Sequence, residues 1–445
     1  MPNDRPNILF CFPDQHRPDF VAGDDDLPVR TPYLDELAAR GVRFTRAHCA
    51  SPLCAPSRAC LASGKPYDYC RVPDNSADYP LDQPTVYQAL RDSGYHVAGA
   101  GKFDLHKATL DWGLDGKRLL TDWGFSDGID NEGKWDGVRS GAETPMGPYM
   151  AYLHERGLAA AHVKDFQQRN RQDCVHTTPL PEEAYCDNWV ANNGAGLLRN
   201  FPKDRPWFLQ VNFTGPHDPW DITYRMQSRW YGVEFPPPVD STQLNAGVHS
   251  AIRRNYAAMV ENIDRQMGML IDEIDSRGEL DNTVVIWSSD HGEMLGDHNC
   301  WGKSVWFQPS VGVPLVMAGP GIEQGAVSDA LVQVHDLAAT WLDFAGVAPL
   351  AGPDVDSRSL RPLLTGAETA GRPHLISGLR KWRMVNDGKF KFVLRIGGEP
   401  LLYDLEADPL EQRNIAGSAP DVEARLADLI IAECKEFAYG TEGDS

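Results

Sequence analysis

Asn7-Ile8-Leu9-Phe10-Cys11-Phe12 is an unbroken apolar run that opens directly into Pro13-Asp14-Gln15-His16. A strand buried on both faces of a parallel sheet reads this way, and in open α/β sheets ligands gather where such strands end. The pattern repeats outward along the chain. Residues 207–213 run into Thr214-Gly215-Pro216-His217, and residues 283–287 run into Ser288-Ser289-Asp290-His291-Gly292. Residues 95–100 read as a strand followed by Gly101-Lys102-Phe103-Asp104-Leu105-His106-Lys107. Continued alternation there predicts Lys102, Asp104 and His106 on one face. Residues 313–318 read as one more strand.

Helical spacing fills the intervals at residues 32–40, 84–93, 182–198, 254–274 and 334–344. The clearest case is 254–274, where Tyr256, Met259, Ile263, Met267, Leu270 and Ile274 recur at three- and four-residue steps. Strands alternating with helices predict an α/β fold, a large and mostly parallel sheet sandwiched by helices. Residues 111–148, rich in Gly, Trp and Asp with two Asp-Trp-Gly triplets, read as a long ordered loop. Its tryptophans either stack on a sugar or cationic head group or pin the loop to the body. After Gly346 the texture changes. Residues 347–372 are rich in Pro, Gly and Ala, and 383–385, 389–396 and 401–405 read as antiparallel strands before a last helix at 421–437. The predicted division is a main domain over 1–346 and a smaller α+β subdomain with an antiparallel sheet over 347–445.

At 445 residues the chain has room for about three average domains or for one large α/β unit with an appendage. The net charge of −21 argues against nucleic acid or an anionic membrane as partner. A bound anion needs a local positive pocket to overcome that field. No window approaches membrane-spanning length, and no charged-then-apolar leader precedes Ile8, so a cytoplasmic protein is expected. The nine cysteines are odd in number, irregularly spaced and without a C-x-x-C pair, which suits neither a disulfide framework nor a zinc ribbon. No sequence rule sets the oligomeric state, and a homo-oligomer is compatible with the chain.

One cysteine stands apart. Cys54-Ala55-Pro56-Ser57-Arg58 sets a thiol, a stiffened backbone and a permanently charged fork within five residues. The small residues after it can start a helix, whose N-terminus favours anions. A cysteine in an ordinary loop is the plain alternative. The strand ends supply matching chemistry: Asp14 and Asp290 as carboxylates, Gln15 as an amide oxygen and His291 as an imidazole. Mostly oxygen donors suit calcium, magnesium or manganese, and the histidine moves the balance toward manganese.

These residues carry a resemblance. Cys54-Ala55-Pro56-Ser57-Arg58 followed by Leu61-Ala62-Ser63-Gly64 is similar to the C-x-P-S-R-x-x-L-x-[ST]-G signature of the type I sulfatases, in the alkaline-phosphatase-like superfamily. Further matches stand in the same order nearly end to end: Asn7-Ile8-Leu9 leading to Asp14, Gly101-Lys102, Pro216-His217, Ser289-Asp290-His291-Gly292, Gly302-Lys303 and Leu402-Tyr403-Asp404-Leu405. The resemblance implies a sulfuric ester hydrolase whose Cys54 is oxidised by a formylglycine-generating enzyme to formylglycine. It implies a divalent metal, calcium first with manganese or magnesium as alternatives, held by Asp14, Gln15, residue 54, Asp290 and His291. One hydroxyl of the hydrated aldehyde would attack sulfur, and the other would later expel sulfate. Arg58, Lys102 and Lys303 would neutralise the sulfate oxygens, and His217 would protonate the leaving oxygen.

The chain also departs from the pattern. Gln15 stands where many members have a second acidic residue, and His291 where many have Asn. Both are similar to the choline sulfatase and phosphonate monoester hydrolase branches, which opens a phosphonate monoester or phosphodiester reading beside the sulfate ester. Many members carry a His two positions after the equivalent of Lys102, where this chain has Asp104. Either His106 takes over that catalytic role, or Asp104 binds a cationic or hydroxyl-bearing substrate. Asn75 is expected to contact substrate. The sulfated molecule stays open among carbohydrate, small alkyl and aryl sulfates. A third reading, a sugar- or ion-binding module without catalysis, rests on the aromatic stretch at 111–136.

Overall fold

Asn7–Cys11 forms a strand, β1, with every residue buried. The computed structural model describes residues 5–21, 27–169, 171–352 and 354–435. Within them the strands following β1 are β2 (Gly41–Phe44), β3 (Ala47–His48), β4 (His96–Gly101), β5 (Asp127–Asp130), β6 (Trp207–Asn212), β7 (Thr283–Ser288), β8 (Leu315–Ala318), β9 (Ala326–Ser328), β10 (Val332–Gln333), β11 (Leu375–Leu379), β12 (Trp382–Asn386), β13 (Phe390–Arg395) and β14 (Leu401–Asp404). Eight of them make one sheet in the order β5-β4-β6-β1-β7-β8-β2-β9. From β5 to β7 every pairing is parallel, with Ile8 opposite both Phe208 and Val284. β8 runs antiparallel to β7 and to β2. The sheet is therefore mixed but mostly parallel.

The apolar run of β1 divides by parity. Ile8, Phe10 and Phe12 enter a core shared with Trp341, Leu337 and Phe208. Leu9 and Cys11 enter the core on the other face, with Ile263, Met267 and Leu270 of the long helix Ala246–Ser276. Burying one such side chain stabilises the fold by about 1.5–3 kcal/mol, so both faces must be covered, and helices cover them. The long helix begins two turns before the apolar spacing predicts, because the Asn245 side chain accepts from Val248 N at 3.0 Å and caps it. Val86–Asp92 starts on a capping box between Thr85 and Gln88.

Residues 111–148 are more than a loop. They contain β5, which adds to the sheet beside β4, and helices Leu120–Trp123 and Trp135–Gly141. β5 has one large apolar side chain in four residues, so no apolar pattern marks it. Gly128 fits there because any Cβ would lie 2.4 Å from the Gly99 carbonyl oxygen. Trp112 and Trp123 are buried and pin the segment.

The second sheet is antiparallel, in the order β11-β12-β13-β14. Helix Pro420–Glu433 packs on one face through Leu426 and Ile430 against Val385, Phe392 and Leu402. The other face, with Leu379, Trp382, Met384 and Val393, joins the main core. The last helix is shorter than the 421–437 expected, and positions 436 and 437 lie outside the described residues. Among the described residues no helix is long and apolar enough to cross a membrane.

Candidate active site

The segments after β1, β6 and β7 are fastened to one another by a backbone bond and by the Asp290 and Ser289 side chains. Asp14 N donates to Gly215 O at 3.0 Å, and Gln15 takes a left-handed turn with φ of 71°. Gln15 N then donates to Asp290 Oδ1 at 3.0 Å, and His291 N donates to the same oxygen at 2.9 Å. His16 N donates to Ser289 Oγ at 2.8 Å. Gly292 continues the turn because a Cβ there would meet Pro309 O at 1.9 Å. Asp14, Gln15, Asp290 and His291 are all fully buried.

Helix Cys54–Ser63 drives its first residue into this junction. Its Leu53 cap has no side chain to offer, and Asn75 Oδ1 instead accepts from Ala55 N at 3.1 Å. Cys54 Sγ lies 3.3 Å from His291 Nε2 and 3.7 Å from Asp14 Oδ1. The donor atoms of Asp14, Cys54, Asp290 and His291 all lie within 4.8 Å of one another. His291 Nδ1 is 3.0 Å from Gly292 O, which only accepts, so the proton sits on Nδ1 and Nε2 presents its lone pair to the cluster. Two carboxylates and a correctly protonated imidazole fit a divalent cation. Gln15 lies beside them, its amide held by Lys303 on the oxygen and by Glu293 on the nitrogen.

Cations surround the cluster. Arg58 is buried, with Nε donating to Asp290 Oδ2 at 3.0 Å, Nη2 to Asp14 Oδ2 at 3.5 Å and Nη1 to the Lys102 carbonyl. Its fork thus braces three strand ends. Lys102 Nζ bonds Asp14 and lies 3.1 Å from Asp104 Oδ2. Burial opposes ionisation of Asp14, but Lys102, His217, Arg58 and Lys303 outweigh it and hold the carboxyl well below its usual range. Burial and Asp14 push the Cys54 thiol up, yet the cations Lys102 and Lys303 carry it well below its ordinary value.

His217 Nδ1 faces the Asp218 carbonyl at 2.7 Å and Asp218 Oδ1 at 3.1 Å, while Nε2 lies 2.7 Å from Lys303 Nζ. At that distance one nitrogen donates and the other accepts, so the pair holds one proton between them. Burial and Lys303 depress the imidazolium, Asp218 and Asp14 favour it, and the balance raises His217 to about 9.

β4 ends at Gly101, whose φ of 108° and close approach to Asn212 O exclude a side chain. Asp104 turns left-handed with φ of 52°. The alternation expected through Lys102, Asp104 and His106 therefore breaks. Lys102 and Asp104 meet, but His106 Nδ1 lies 3.5 Å from Asp78 Oδ2 and does not line the cavity over Cys54. Lys107 takes the inward place, with Nζ 3.0 Å from Asp104 Oδ2 and 2.9 Å from Asp136 Oδ2.

That cavity, of about 410 Å³, has Cys54, Asn75, Lys107, Trp135, Asp136, Arg139 and His217 in its lining. Lys107, Asp136, Asp218 and Glu293 are absent from the residues picked out in the sequence. Lys107 stands in the Gly101–Lys107 stretch, and Glu293 directly follows Asp290-His291-Gly292. Asp136 and Asp218 carry no local signal.

The second sheet supports both loops of the site. Ser377 Oγ donates to Cys49 O, and Gly378 N to Ala50 O at 3.1 Å, just before Cys54. Trp382 Nε1 donates to Ser304 O, and Lys391 Nζ to Trp306 O, each at 3.1 Å, just after Lys303.

The family profile described as Sulfatase matches residues 6–347, and the profile for the C-terminal part of N-sulphoglucosamine sulphohydrolase matches residues 296–432. The chain is 31% identical over 449 residues to a choline-sulfatase from Rhizobium meliloti (strain 1021), which spans 94% of this chain and 83% of that protein. It is 27% identical to an arylsulfatase from Clostridium perfringens (strain 13 / Type A), over 99% of this chain and 96% of the other. Its fold is similar to that of a phosphonate monoester hydrolase of Agrobacterium radiobacter, with a TM-score of 0.82 and 24% identity over 96% of this chain and 95% of that one. The chain belongs to the sulfatase family.

Proposed function

We propose that this protein hydrolyses a sulfate monoester, carried on a carbohydrate or a small organic alcohol, at a formylglycine made from Cys54. The observation that carries the reading is the position of Cys54 Sγ. It completes a four-residue cluster with Asp14, Asp290 and His291 at the floor of a cavity. Asp14, Gln15, Asp290 and His291 would hold a divalent ion, which would make an oxygen of a hydrated formylglycine at 54 easier to deprotonate and so a better nucleophile. Calcium suits the oxygen-rich set best, with manganese or magnesium as alternatives. Maturation then requires a formylglycine-generating enzyme as a transient partner.

The chain's own groups divide the remaining work. Lys102 and Lys303 set positive charge where the sulfate oxygens lie, and Arg58 keeps the two metal-side carboxylates in place. The proton shared by His217 and Lys303 goes to the leaving alkoxide, with Asp218 holding His217 Nδ1. Asn75 lines the cavity beside residue 54 and is a substrate contact. In this reading residues 1–346 carry the chemistry, and 347–445 brace the loops of Cys54 and Lys303.

A second reading, phosphonate monoester or phosphodiester hydrolysis, is supported by Gln15 and His291 and by the fold likeness to phosphonate monoester hydrolases. Both are tested together. Mass spectrometry of the peptide containing position 54, from protein co-expressed with a maturation enzyme, is expected to show the aldehyde or its hydrate. An unmodified thiol in that protein removes the mechanism. Rates on p-nitrophenyl sulfate should exceed those on phenyl phosphonate and phosphodiester esters, and the reverse order would favour the second reading.

A further inference from the structure

The cations around Cys54 differ in the space they face: of the lysines among them, only Lys107 lines the cavity over Cys54. Arg58 is occupied by Asp14, Asp290 and the Lys102 carbonyl. Lys303 bonds Gln15 and His217, and Lys134 bonds Asp221 at 2.7 Å. Lys102 bonds Asp14 and Asp104 and lines only a small recess of about 40 Å³. Lys107 lines both that recess and the cavity over Cys54. An ammonium has three N–H donors, and Asp104 and Asp136 take two. One donor therefore remains on a lysine whose position is fixed from two elements, the turn at Asp104 and helix Trp135–Gly141.

We propose that Lys107, braced between Asp104 and Asp136, contacts substrate in this chain, giving its third N–H to an oxygen of the bound sulfuryl group. Asp104 and Asp136 are positioning residues that act through it. The inference rests on the sulfate-ester reading above, and it accounts for the departure at 104. Where many family members carry a histidine, this chain has a carboxylate that holds a lysine from three residues on. The bridge also joins a loop to a helix, so a purely structural role is the rival explanation.

Binding of inorganic sulfate to the full-length, metal-loaded protein separates the two, because it needs no turnover. Calorimetry should show Lys107→Met weakening sulfate binding by about tenfold, as expected for the loss of one charge-assisted hydrogen bond. Lys107→Arg should keep most of the affinity. On p-nitrophenyl sulfate, kcat/KM of Lys107→Met should fall by about 100-fold per formylglycine-bearing site, with formylglycine content measured on the same sample. Lys107→Gln keeps two N–H donors for the carboxylates but loses the charge, the third donor and some length, so it answers the question if the methionine variant fails to fold. Sulfate affinity within about twofold of wild type in Lys107→Gln, or a wild-type protein that binds no sulfate, overturns the proposal. Loss of sulfate binding in the variants of a protein that hydrolyses no sulfate ester would uphold Lys107 and sink the function reading instead.

Discussion

Two groups of buried carboxylates face Cys54, and they are held by different means. Asp290 is fixed by backbone: Gln15 N and His291 N both donate to one of its oxygens, and those amides sit at the ends of β1 and β7. Asp104 and Asp136 are fixed by a side chain, the ammonium of Lys107, on segments outside the sheet. In the first arrangement backbone amides fix one oxygen and Arg58 the other, and the amides fall into place where the strand ends meet. The second depends on loop geometry and on a lysine with many rotamers. Chemistry common to a family is expected in the first region, and features particular to one chain in the second.

The sharpest way to break this contrast is at Asp290. Asp290→Asn keeps the backbone bonds to one oxygen but removes the charge opposite Arg58. The bound divalent metal, measured by plasma mass spectrometry after dialysis, should fall from stoichiometric to near zero. Activity should fall by about 1,000-fold. If the metal stays and activity survives, the cluster at Cys54 is not the metal site.

A second prediction concerns a carboxylate of the outer region held by backbone. Glu132 accepts from Met150 N at 2.7 Å and from Tyr149 N at 3.3 Å, at the first turn of helix Pro148–Glu155. Burial raises it to about 7 from an ordinary 4.5, more than these amides lower it. Because the folded value lies above the unfolded one, the folded state binds the proton more tightly. No penalty exists below about pH 4.5; it grows up to about pH 7 and is then complete, at about 3 kcal/mol. Glu132→Gln should therefore gain stability relative to wild type on going from pH 5 to pH 8 in urea melts. A difference that does not change with pH would show that the carboxyl ionises freely in the folded protein.

The sequence makes the same division visible. β1, β6 and β7 are legible because strands buried on both faces need unbroken apolar runs, and the polar residues after them are then strand-end residues. Cys54, Arg58, Lys102, His217 and Lys303 follow from the ordered signature. What escapes is set by three-dimensional partners. β5 is short and glycine-bearing, so its pairing with β4 leaves no periodic trace. Arg58 reads as an anion-binding fork, yet the fold spends it on Asp14, Asp290 and a carbonyl. The choice between His106 and Lys107 turns on one backbone angle at Asp104, which composition and spacing do not encode.

That choice yields the smallest effect and the finest test of the contrast. His106 and Asp78 form a loose pair at 3.5 Å, and Asp78 also accepts from Ala108 N at 2.7 Å and Thr109 Oγ1 at 2.5 Å. The loop is thus tied by Asp78, with His106 as one of several partners. His106→Ala should change kcat/KM by less than about threefold, the scale of a partly exposed ion pair, and leave the pH profile in place. Lys107 variants in the same assay should lose far more. A large loss in His106→Ala with an altered pH profile would move the histidine into the chemistry, and the turn at Asp104 would then have to open toward the cavity during the reaction.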